Sequence, residues 1–272
     1  MQKKLIIFIS TLFICYAAVA QDNQVSKKDE RMAARHQQVK SAIEREEEGA
    51  LVYNVQNAFG IRLNTNGWGI SYEHGKYNDI NKTNLWWVSL DEIKSPKEEK
   101  GVLTDGFGFA IGNPYIFGKQ NTAYALRAGI GQQRLIGGKG NRNGVAVSAI
   151  YGGGITAGLL KPYYLEALID VNTFESKDVK YGDVPDSIFL NAGYIFGGSG
   201  FGKGLDEIKL QPALHSKLAL RFDYGRYSEI LSAIELGLNA EYYFKPLPIM
   251  VVDNNPKFIF NAYVSILFGK RK

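Results

Sequence analysis

A period of two in the C-terminal third constrains this chain more than any other feature. Between Lys257 and Phe268, the residues Phe258, Phe260, Ala262, Val264, Ile266 and Phe268 share one face. The other face holds Lys257, Asn261 and Ser265 with Ile259, Tyr263 and Leu267. The preceding segment sets Ile234, Leu236, Leu238, Ala240, Tyr242 and Phe244 against Glu235, Gly237, Asn239 and Glu241. Before that, Leu214, Leu218, Leu220, Phe222 and Tyr224 oppose His215, Lys217, Arg221 and Asp223. Successive side chains of a strand point to opposite faces, so this pattern predicts extended strands.

Earlier segments follow the same rule. Phe59, Ile61 and Leu63 oppose Gln56, Gly60 and Arg62, and Trp68, Ile70 and Tyr72 oppose Gly69, Ser71 and Glu73. A further strand is expected around Leu85 to Ile93. Thr122, Tyr124, Leu126, Ala128 and Ile130 then oppose Asn121, Arg127, Gly129 and Gln133. The uncharged run Asn143 to Leu160 is long enough for a spanning helix, yet it contains Gly152-Gly-Gly154, and its large residues alternate. Each glycine weakens a helix interior by about 1 kcal/mol, whereas a strand facing a tight interior tolerates it. The run reads as a strand, which brings the set to about eight.

Connections alternate in length. Asn78 to Thr83, Gly137 to Gly144 and the link around Ser228 form one set of turns. Ser95 to Pro114, Asp170 to Pro212 and Pro246 to Pro256 are long, and Asn64 to Gly67 is the one short turn on their side. Short turns on one side and long loops on the other predict an antiparallel transmembrane barrel. The polar face supports this over a soluble barrel. It is mostly Gly, Ser, Asn and Gln, with Arg62, Arg127, Lys217 and Arg221 balanced by Glu73, Asp223, Glu235 and Glu241. A lumen where ions pair has that composition, while a soluble exterior carries many unpaired Lys and Glu. The expected cross-strand pairing is Lys217 and Arg221 with Glu235 and Glu241. A barrel of about eight strands is filled by its own side chains, so these charges would plug the lumen.

The N-terminal region differs in composition. Lys3-Lys4, the apolar run Leu5 to Tyr16 and Ala18-Val-Ala20 form an expected export signal over 1–20, cleaved after Ala20. The single cysteine, Cys15, lies within it, so no disulfide or thiolate chemistry is expected downstream. Residues 21–50 are charged and nearly free of aromatics, and they read as a short helical or disordered tether. The barrel is assigned to 51–272.

Together these features resemble the small OmpA/OmpX-like outer-membrane barrels. Tyr263, Ile266 and Phe268 in the last strand are similar to the C-terminal signal that such proteins present to the barrel-assembly machinery. That signal usually ends the chain, whereas Gly269-Lys-Arg-Lys272 follows here. This ending and Gln21 at the expected mature start resemble Bacteroidota members. The resemblance implies a Gram-negative outer-membrane location and a barrel fold; a non-enzymatic barrel is the expected role.

Other motifs point to little chemistry. Gly197-Gly-Ser-Gly-Phe-Gly202-Lys203 has phosphate-loop spacing, but Gly204 stands where the magnesium-binding Ser or Thr belongs. His36, His74 and His215 lack ligand neighbours, so no metal or other cofactor is expected. His215 and Ser216 are adjacent strand residues and point apart, which argues against a catalytic dyad. The net charge of +5 includes Lys3 and Lys4 and is a poor nucleic-acid signature. Expected partners are outer-membrane lipids, the assembly machinery, and an envelope protein meeting the tether or the 170–212 loop. In that loop Phe174, Tyr181, Phe189 and Phe196 are the candidate contacts. The expected role is structural or in interaction. A lipid A-modifying enzyme would instead need polar groups clustered at the outer rim, and a small-solute channel would need an emptier lumen.

Overall fold

The computed structural model describes residue 32 and residues 54–79, 81–104, 106–139, 144–170, 175–225, 230–252 and 255–272. The expected export signal, nearly all of the tether, the Ser228 link and Phe174 lie outside the described residues. The chain divides into two units, 1–52 and 53–272, and the second contains all the strands.

In chain order the strands are β1 (Val55–Asn64), β2 (Gly67–Asp79), β3 (Lys82–Ile93), β4 (Lys100–Gly101) and β5 (Tyr115–Ile116). Next come β6 (Asn121–Gly137), β7 (Ala146–Pro162), β8 (Leu165–Asp170), β9 (Glu175–Val179) and β10 (Ile195–Gly198). The chain ends with β11 (Lys209–Asp223), β12 (Ile230–Tyr243) and β13 (Phe258–Arg271). Eight of these close into a barrel in the order β1-β13-β12-β11-β7-β6-β3-β2. Every pairing is antiparallel, and β13 meets β1 with Phe59 opposite Phe268 and Arg62 opposite Ser265. The uncharged run is strand β7, paired along its length with β6 and β11.

Burial alternates along most of the barrel strands, with runs of buried residues at the loop ends of β6 and β7. On β13, residues Asn261, Tyr263, Ser265 and Leu267 are buried, while Phe260, Val264, Ile266 and Phe268 are exposed. The pattern is inverted relative to a soluble barrel: the wall outside is mostly aliphatic and aromatic, and the interior holds a dense set of charges. Glycines set the interior volume. Gly129 and Gly131 on β6 lie opposite Gly154 and Gly152 on β7, and the indole of Trp87 fills the hollow they leave. A Cβ at Gly152 would stand 2.6 Å from the Gly131 Cα and 2.8 Å from the Trp87 ring.

The longest connection is not irregular. The segment expected as a 170–212 loop starts at Tyr163 and ends before Lys209, because β11 extends further than the alternation suggested. Pro212 lies within β11, where its carbonyl accepts from the Phe244 N–H. The segment contains the sheet β10-β8-β9 and a one-turn helix, Asp186–Phe189, around a core of Leu165, Ala167, Val179, Phe189 and Ile195. The β12–β13 connection turns inward. Leu247, Ile249 and Met250 are buried against Ile93, Ala123, Leu160 and Tyr243 at the loop end of the barrel. The Gln120 N–H donates to the Ile249 carbonyl at 2.8 Å and the Val251 N–H to Gly118 at 2.8 Å, which holds the connection in the mouth.

Gly152→Val is expected to lose about 1–3 kcal/mol or more of stability, because the neighbour across the sheet is backbone that cannot retreat. A urea titration followed by the heat-dependent gel shift of the folded barrel measures it.

Candidate functional site

Among the described residues, the lumen gathers most of the buried ionisable side chains. Each strand contributes those of inward parity, and the register stacks them into connected groups. Among the described residues, buried Arg62, Arg127, Lys217, Arg221 and Arg271 face buried Glu73, Asp91, Asp223, Glu235 and Glu241.

Arg221 holds the middle group. Its Nη1 and Nη2 donate to the two oxygens of Glu73 at 2.7 and 2.6 Å, a bidentate pair across the lumen. Nη2 also donates to Glu235 Oε2 at 2.5 Å, and Nη1 to Gln133 Oε1 at 3.2 Å. The other oxygen of Glu235 accepts from the Tyr263 hydroxyl at 2.6 Å and pairs with Lys217 Nζ at 2.8 Å. Lys217 also lies 5.0 Å above the Trp87 ring centre, and the Arg62 guanidinium carbon sits 4.3 Å from that of Tyr263. Such contacts favour a cation that has left water.

Towards the loops, Arg127 bridges Asp91 and Glu241. Glu241 also accepts from the Tyr243 hydroxyl at 2.8 Å, and Asp91 accepts from Asn64 Nδ2 at 2.9 Å. At the turn end, Asp223 pairs with Arg271 and, at 3.3 Å, with Lys139. The expected partnership of Lys217 and Arg221 with Glu235 is present, but that with Glu241 is not. Glu241 stands opposite His215, nearer the loops, and Arg127 reaches it from across the lumen.

Asp91 and Arg271 belong to the network although neither was singled out in the sequence. Both were legible by parity: Asp91 shares the buried face with Trp87 and Ser89, and Arg271 continues that of Tyr263, Ser265 and Leu267 past the last aromatic. His215 lies in the lumen with Nδ1 3.1 Å from Thr156 Oγ1, and Ser216 faces outward, so the two form no dyad. Ile266 and Phe268 are exposed on the outer wall, whereas Tyr263 points inward. Of the expected loop contacts, Phe189 is wholly buried in the loop core, which removes it as a contact surface. Tyr181 stacks edge-on against it, and Tyr181 and Phe196 are half-buried.

Ion pairs also fasten the loop region. Lys180 and Tyr164 both bond Glu207, and these hydrogen bonds hold its carboxyl below the usual range. The same contact with Glu207 raises Lys180 to about 12. The Ser199 hydroxyl and Lys203 likewise depress Asp178.

Comparison of the sequence with family models and with curated proteins finds no match. The fold is similar to several solved structures. Neisserial surface protein A aligns with a TM-score of 0.39 and 6% identity over 80% of this chain and 96% of that one. The N-terminal β-barrel domain of Pseudomonas aeruginosa OprF aligns at 0.36 and 9%, over 80% and 98%. The attachment invasion locus protein Ail of Yersinia pestis aligns at 0.36 and 6%, over 81% and 100%.

Arg221→Ala leaves Glu73 and Glu235 without their shared guanidinium and is expected to cost about 3–5 kcal/mol. Removing Glu73 as well should return part of that loss, read as coupling in a double-mutant cycle of unfolding midpoints. In the loops the acids carry depressed values, so their contribution is complete above the unfolded value and fades as pH falls through the folded one. Protease cleavage within 163–208 should therefore accelerate below about pH 4, near the ordinary carboxylate value. Glu207→Gln should show part of that sensitivity already at neutral pH.

Proposed function

We propose that the chain is an integral outer-membrane β-barrel with a closed lumen and a structural or interaction role in the cell envelope. The observation that carries this reading is the inverted wall. Apolar side chains cover most of the outside of the barrel strands, while the interior is a neutralised network under an apolar cap. Only hydrocarbon makes that exterior favourable, and only a closed sheet satisfies its backbone there.

Two features favour a structural or interaction role over conduction. The Arg221 and Arg127 groups cross the lumen from several strands, and Leu247, Ile249 and Met250 occupy the mouth. The loops meanwhile expose Phe109, Ile111 and Phe201, each more than half open to solvent. Large apolar side chains at loop tips are a contact surface for an envelope partner. The enzymatic alternative gains no support from His215, which the lumen encloses.

Fractionation tests the reading. The chain should be recovered with outer membranes, require detergent for extraction and migrate faster on a gel before boiling than after it. Release by salt alone would overturn the membrane assignment. The Lys217→Ala, Arg221→Ala double variant separates plug from pore. Loss of the heat-stable band is expected, whereas a folded variant with raised conductance in a planar bilayer would establish a gated channel.

A further inference from the structure

The outer wall is not uniformly apolar. At the turn ends of β1, β2, β3 and β6 it carries Asn57, His74, Lys76, Lys82, Asn84, Gln132 and Arg134, all of outward parity. The polar groups are joined across strands. His74 Nδ1 and Asn57 Oδ1 are 2.7 Å apart, and the Tyr72 hydroxyl donates to the same oxygen at 3.2 Å. Gln132 Nε2 donates to Asn84 at 3.4 Å and its carbonyl accepts from the Tyr151 hydroxyl at 2.9 Å. Arg134 stands 5.9 Å from the Tyr151 ring centre.

Three observations make this patch a site and not a headgroup-level belt. It is one-sided: Lys270 on β13 continues it beside Asn57, whereas β7, β11 and β12 carry Val147, Phe222 and Ile230 at their turn ends. It is bounded below by apolar surface, because Ile136 follows Arg134 on β6 and is 65% exposed. It also borders a groove of about 720 Å³ between Trp86, Ile130 and Tyr151, with Lys76, Asn84 and Gln132 along its edge. Among the described side chains no acid faces outward there, and the charges of Lys76, Lys82, Arg134 and Lys270 are all positive.

We propose that this groove binds an anionic phospholipid, an inference that rests on the membrane reading above. Lys76, Lys82 and Arg134 meet the phosphate, as ammonium and guanidinium groups do. Asn84 and Gln132 bond the glycerol and ester oxygens, and an acyl chain lies over Trp86 and Ile130. The volume suits such a ligand segment. A cation near an anionic lipid surface contributes about fivefold in affinity.

The test uses the full chain folded in detergent and exposed to phosphatidylglycerol or phosphatidylcholine, with bound lipid counted by native mass spectrometry. Phosphatidylglycerol should be retained in preference, and Lys76→Gln, Arg134→Gln should reduce its retention by on the order of tenfold or more. Lys94→Gln, at the loop end, should leave it unchanged. The heat-dependent gel shift reports folding separately; if the double variant loses it, Lys76→Gln alone, on an exposed side chain, carries the comparison. Equal retention of both lipids, or retention that survives the substitutions in a folded barrel, overturns the site. Full displacement by millimolar inorganic phosphate overturns the lipid in favour of a free anion. A wild-type chain that shows no heat shift in detergent or lipid removes the membrane reading as well, whereas a wild-type chain that shows the shift but retains both lipids equally removes the site alone.

Discussion

The pairing of β1 with β13 is the contact on which everything else depends. Until Phe59 meets Phe268 and Arg62 meets Ser265, the sheet has two edges of open hydrogen-bonding groups. In hydrocarbon such groups find no water, and each costs several kcal/mol. Closure removes the edges and sets the diameter, since eight tilted strands enclose a space that side chains can fill. The interior composition follows from that width. A narrow lumen cannot hydrate isolated charges, so each buried cation must find its acid within reach.

This requirement explains the arrangement around Arg221. A guanidinium has five donors in a planar fork, and here it spends them on Glu73, Glu235 and Gln133 from three different strands. A lysine at that position would satisfy fewer acceptors. The aromatic rings beside Lys217 and Arg62 and the hydroxyls of Tyr243 and Tyr263 complete the neutralisation. The glycines of β6 and β7 belong to the same problem, because the space taken by Trp87 exists only where those strands lack side chains. Cap and network lie in series: an apolar layer at the mouth and a charged layer beneath it.

The outer wall follows a second logic. Most of it is a generic apolar surface, and any aliphatic or aromatic side chain of outward parity serves. The cluster from Asn57 to Arg134 departs from that rule on one side only. Polar groups on a lipid-facing wall are expensive, and grouping them so that they bond one another is how the cost is limited.

Parity along the chain was enough to assign the strands, their faces and the balanced charge of the lumen, because a period of two is a local property of extended backbone. Asp91 and Arg271 were not singled out, although parity places both inward: Asp91 inside the expected Leu85 to Ile93 strand, Arg271 beyond the expected end at Phe268. Which acid meets which base was another matter. Glu241 turns to Arg127 and Glu73 to Arg221, each across the lumen between strands distant in sequence, and only the closed register brings them together. The 163–208 segment was opaque for the same reason. Its short strands pair with neighbours through irregular registers, and the burial of Phe189 depends on packing between β8, β9 and β10 that no local pattern encodes. Local alternation selects the faces of a strand; the partners across a lumen are selected by closure, because contact there is a matter of distance in space and not along the chain.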